Sequence, residues 1–77
     1  MKFVEGKDYS VLFKDGTTGR IDGDEFVWFK NKQAYRIDDQ EIYDMKGNFI
    51  GEMDGLNAID DGSLEILFTL ELVNVAG

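Results

Sequence analysis

The sequence predicts an all-β chain, one small domain of five to six antiparallel strands folded as a strongly bent sheet or a small barrel. Three observations carry that prediction. Apolar residues recur with a period of two in most segments, the spacing that puts alternate side chains on one face of a strand. Turn residues break the chain at short intervals, as at Asp15-Gly16, Lys30-Asn31-Lys32 and Lys46-Gly47-Asn48. Pro is absent, so no segment is barred from a central place in a sheet.

The elements follow in order. In YSVLFK (9–14), Tyr9, Val11 and Phe13 alternate with Ser10, Leu12 and Lys14. DGTTG (15–19) reads as a turn. EFVWFK (25–30) holds four consecutive apolar residues, which cannot all point one way. It reads as a central strand covered on both faces, with Trp28 in the core. QAYRI (33–37) follows a short polar break and completes a tight hairpin. EIYDM (41–45) and FIGEM (49–53) flank Lys46-Gly47-Asn48 and form a second hairpin, because Gly and Asn tolerate the positive φ such turns need. Gly51, inside the second arm, marks a bulge or a close backbone approach. DGLNAIDDG (54–62) has little period and reads as a loop.

SLEILFTLELVNV (63–75) alternates over most of its length, with Leu64, Ile66, Phe68, Leu70 and Leu72 on one face. A helix would give it a poorer apolar stripe. Fully extended, its last twelve residues would span about 40 Å. A domain of this length has a gyration radius of about 11 to 12 Å. The strand is therefore expected either to bend across a barrel or to project and pair with another chain, bending being the better way to hide an edge. An SH3-like barrel is the nearest familiar architecture, an analogy of fold that carries no function.

Little in the chain supports chemistry. Cys and His are both absent, which removes the usual nucleophile–base pairs, thiolate sites and imidazole ligands. Asp22, Asp24 and Glu25 lie close together, but the third acid and the central Gly of a calcium loop are missing, and Asp60-Asp61-Gly62 fails in the same way. Neither standard Gly-rich phosphate spacing occurs. Asp38 and Asp39 are adjacent carboxylates without the deep cleft that glycoside chemistry needs. The expectation is a protein that is not an enzyme, with no catalytic residue, no metal and no cofactor.

Charge is more informative. The net charge is −8. Residues 38–61 carry eight acids (Asp38, Asp39, Glu41, Asp44, Glu52, Asp54, Asp60, Asp61) and one base, Lys46. A field of that sign repels nucleic acid and membrane headgroups and attracts basic surfaces. It also keeps a small apolar protein in solution. Alternation along a strand places Asp38 and Asp44 on one face and Asp39 and Glu41 on the other. The expected binding set is Asp38, Asp44, Glu52 and Asp54 with the loop pair Asp60 and Asp61. With Met1 as its start, no basic-then-apolar leader and no apolar run of membrane-spanning length, the chain reads as cytoplasmic.

IYDMKGNFIGEMDG (42–55) resembles the hairpins of many β-repeat proteins, in which a strand ends in Asp, turns through a Lys-Gly pair and resumes with Ile. In size and charge the chain resembles small acidic phage inhibitors, anti-CRISPR and anti-restriction proteins among them. That resemblance implies a non-enzymatic protein docking on a basic surface of a nucleic-acid-binding protein and blocking it. The alternative is a structural or assembly module acting by β-strand pairing, as a homodimer through the C-terminal strand.

Overall fold

The computed structural model describes residues 1–73. Eight strands follow one another: β1 (Asp8–Phe13), β2 (Thr18–Asp22), β3 (Phe26–Phe29), β4 (Lys32–Asp38), β5 (Glu41–Asp44), β6 (Phe49–Asp54), β7 (Asn57–Asp60) and β8 (Ile66–Leu72). Each pairs antiparallel with the next, and β8 returns to β1, closing the barrel. The all-β, antiparallel, barrel-like fold expected from the sequence is found, with eight strands in place of five or six. Among the described residues no helix is long and apolar enough to cross a membrane.

The additional strands are β2 and β7, in segments read as turn and loop. In β2 only Ile21 brings a large apolar side chain inward, because Gly19 fills the other inward position. In β7 the only buried inward residue is Ala58. Both strands are held by pairing on two sides rather than by an apolar face of their own.

Inward residues build the core: Tyr9, Val11, Ile21, Val27, Ile37, Ile42, Ala58, Phe68 and Leu70 from the strands, and Phe3 from the N-terminal segment. Phe3 plugs one end of the barrel. Its ring lies 5.4 Å from that of Tyr9. The Tyr9 hydroxyl accepts the Val4 N–H at 2.9 Å, and Gln40 Nε2 donates to the Phe3 carbonyl at 2.8 Å. Such satisfied polar groups let a chain segment lie over an apolar core.

Three bulges bend the wall. Pairing shifts register between Val27 and Trp28 against β4, between Ile42 and Tyr43 against β6, and between Ala58 and Ile59 against β8. The unpaired extra residues are Ala34, Ile50 and Leu67. The bulge expected near Gly51 is thus present, with Ile50 as its extra residue. Glycine has a specific task beside two of these irregularities. A Cβ on Gly19 would collide with the Trp28 carbonyl, and a Cβ on Gly51 with the Ile59 carbonyl. Each inward glycine lets the neighbouring strand come close beside a bulge, which is how small barrels turn tight corners.

Two readings of side-chain placement are corrected. Trp28 is half-buried rather than core: Val27 takes the inward position, and the Arg20 guanidinium covers the indole from outside at 5.3 Å. A closed barrel has no second layer on its outer face, so long side chains cover the outward aromatics there. The long C-terminal strand is also shorter than expected. It spans Ile66–Leu72, because Leu64, at φ 62°, belongs to the preceding turn. Leu64 and Ile66 are accordingly exposed instead of sharing the buried face of Phe68 and Leu70. Residues 74 and 75 of the expected strand lie outside the described residues.

Candidate functional site

The acids of residues 38–61 occupy three distinct settings. Cross-strand register aligns Asp38 with Glu41 and Glu41 with Glu52, giving an outward row over β4, β5 and β6. Asp38 and Glu41 therefore share a face, contrary to the alternation expected from the sequence. Asp39 and Gln40, at φ 48° and 71°, form a two-residue hairpin turn between them. Alternation along one strand does not carry across such a turn; pairing decides instead.

The row has partners at one end. Arg36 contacts Asp38 at 3.1 Å and Glu25 at 3.5 Å. Its guanidinium lies 4.8 Å from the Tyr43 ring centroid, and the Tyr43 hydroxyl donates to Glu41 at 2.9 Å. The hydrogen bond to Asp38, more than any other interaction, raises the pKa of Arg36; that to Glu41 likewise raises Tyr43. Asp38 and Glu41 are thus already engaged, while Glu52 is not.

Beside this row runs a groove of about 410 Å³ along β6, β7 and the turn after β7. Met53, Ile59 and Leu64 supply its apolar lining, and Glu52, Asp54, Asp60 and Asp61 its acids. Asp60 serves the turn: its Oδ1 accepts the N–H groups of Gly62 and Ser63, both at 2.9 Å. Those bonds hold its carboxyl below the usual range. Among the described residues, Glu52, Asp54 and Asp61 meet no cation within ion-pair distance.

Asp44 belongs elsewhere. It ends β5 at the opposite barrel end from the Asp39-Gln40 turn, and its carboxylate accepts Lys46 N–H, Asn48 N–H and Asn48 Nδ2 at 2.9 to 3.0 Å. It shapes the hairpin, and its pKa is lowered chiefly by the Asn48 side chain. Of the six residues expected to bind, the structure brings Glu52, Asp54, Asp60 and Asp61 into one groove, places Asp38 on the adjoining row and leaves Asp44 in a turn. The sequence reading does not bring Ile59, Met53 and Leu64 to the site: it puts Ile59 in a loop, Met53 at the end of a hairpin arm and Leu64 on the buried face of the last strand. Only the pairing of β6 with β7 and the turn after β7 brings the three together.

The acids at 22 and 24 are also used locally. Asp22 pairs with Arg20 at 2.7 Å, and Asp24 accepts the Phe26 N–H at 2.9 Å. No cluster of three or more metal-ligating side chains occurs among the described residues. Compared with known proteins, the chain matches no family model, no curated protein and no solved structure.

Proposed function

We propose that the protein is a non-enzymatic binding protein whose β4–β7 face docks on a basic protein surface. The observation that carries this reading is the groove beside β6 and β7, where Glu52, Asp54 and Asp61 lack a cationic partner among the described residues and flank apolar Ile59 and Leu64. Unpaired surface carboxylates gain most from a partner that brings its own cations, and apolar residues beside them add area that excludes water. A basic surface that otherwise holds nucleic acid suits this arrangement.

The chain's lack of Cys and His agrees with action by contact rather than by catalysis. The strand-pairing alternative has less support, because β8 is bonded to β7 on one side and β1 on the other. Among the described residues it offers a partner no free edge. A salt series tests the proposal, using an Arg/Lys-rich peptide with interspersed Leu as the probe. Affinity should fall steeply as ionic strength rises, with most of the loss in association rate. Affinity independent of salt would contradict it.

A further inference from the structure

We propose that the barrel end opposite the Phe3 plug is a binding site for a small, flat aromatic carboxylate. An eight-stranded barrel is just wide enough to fill with side chains or to hold one small ligand. Here the filling is asymmetric. Phe3 closes one end, whereas the other opens into a pocket of about 320 Å³ lined by Phe13, Phe29, Ala34, Tyr35, Leu67 and the first residues of the β1–β2 turn. That volume falls at the lower end of the range for small-molecule sites.

Two further features point to the ligand's chemistry. The first is how the walls are made. Ala34 and Leu67 are the extra residues of two of the three bulges, so the irregularities that splay the strands also shape this mouth. The Phe13 and Phe29 rings meet edge-on at 5.3 Å and 88°, while Tyr35 packs on Phe68 at 5.4 Å. Bulges at a barrel rim commonly re-aim side chains beside a site, and edges and faces of aromatic rings favour a flat aromatic guest.

The second feature is charge. In a meander barrel alternate turns gather at one end, so Lys14, Lys30, Lys32 and Lys46 all lie at the mouth end. The Lys30 ammonium lies 5.4 Å from the Phe29 ring centroid, and Lys14 lines the pocket itself. Among the described residues Lys14 forms one ion pair, with a solvent-exposed Glu65 at 3.4 Å, and feels the charge of Asp60. Asp15 also lines the pocket, but its Oδ1 accepts Thr17 N–H at 3.0 Å and the Thr17 hydroxyl at 2.6 Å, tying it to the turn. The same end also carries Asp15, Asp44, Asp60, Asp61 and Glu65, so it is not basic as a whole; what favours an anion is local, the Lys14 and Lys30 ammonium groups beside the apolar rings. A ring seated among Phe13, Phe29 and Tyr35 can direct a carboxylate toward Lys14 and Lys30.

The test titrates the isotope-labelled full chain with 2-naphthoate, and separately with neutral 2-naphthalenemethanol, following backbone amides by NMR. The expected result is saturable shifts at residues 13–17, 29, 34, 35 and 67 with naphthoate. Phe29→Ala should weaken binding about tenfold, the loss of one ring contact. Lys30→Gln, at an exposed position that leaves the fold intact, should weaken naphthoate several-fold and leave the alcohol unchanged. Failure to shift those amides at about 1 mM probe would overturn the proposal. So would equal affinity for acid and alcohol, or shifts of the same amides with protein concentration alone, which would mean that a second copy covers the mouth.

Discussion

Phe68 touches Phe13 and Tyr35 with its ring and is fully buried, so truncating it leaves a hole that the barrel wall cannot collapse to fill. Phe68→Ala is expected to cost about 3 to 5 kcal/mol in denaturant unfolding. Trp28→Ala should cost only about 1 to 2 kcal/mol, since the indole is half-covered, by Arg20 rather than by the core. Asp15, Asp44 and Asp60 are linked by a different logic. Each accepts hydrogen bonds from its own turn, which hold its carboxyl below the usual carboxylate range. A carboxyl whose folded pKa is depressed stabilises fully above its unfolded pKa and loses that contribution as pH falls through the folded one. Thermal midpoints should therefore drop below about pH 4. The Asp44→Ala chain should start from a lower midpoint at neutral pH and lose less of it on acidification.

At the scale of elements, the bulges and the inward glycines act together. Gly51→Ala would drive a methyl group into the Ile59 carbonyl, forcing β6 and β7 apart at a cost of about 1 to 3 kcal/mol, measurable as a shift in urea midpoint. Amide exchange offers a second check. Residues 57–60 should be protected as a paired strand, and Asp61 with them through its bond to the Ile50 carbonyl, whereas Gly62 and Ser63, whose N–H groups are held only by the exposed Asp60 side chain, should exchange faster. The same contrast explains what was legible in the sequence. β1, β3, β4, β5, β6 and β8 each carry period-two apolar residues or a recognisable turn, and they were found. β2 and β7 are strands because their neighbours supply pairing, and an inward Gly19 or Ala58 gives almost no hydrophobic signal. For the site, Glu52, Asp54, Asp60 and Asp61 were legible as charge. Their grouping with Ile59 depended on β7, and the pairing of Asp38 with Glu41 depended on a turn without glycine at Asp39-Gln40.

Over the whole molecule, closure decides what the surface can do. The Cα gyration radius is 11.5 Å, as expected for a compact chain of this length. With β8 bonded to β1, the described residues leave no free strand edge, and recognition by them falls to outward side chains and the two barrel ends. The β4–β7 side presents carboxylates in register, while the mouth end sets Lys14 and Lys30 beside the half-buried rings of Phe13 and Phe29. The central claim, that the β6–β7 groove and not net charge alone makes the binding face, is tested by comparing two variants of equal charge. One carries Glu52→Gln, Asp54→Asn and Asp61→Asn; the other carries Asp8→Asn, Asp22→Asn and Glu71→Gln on the β1, β2 and β8 side. Affinity for the Arg/Lys-rich, Leu-containing peptide is measured at low ionic strength, with each fold verified by circular dichroism. The account predicts that the first variant binds at least about tenfold more weakly than the second. Equal weakening in both would show that only total charge matters and would contradict it.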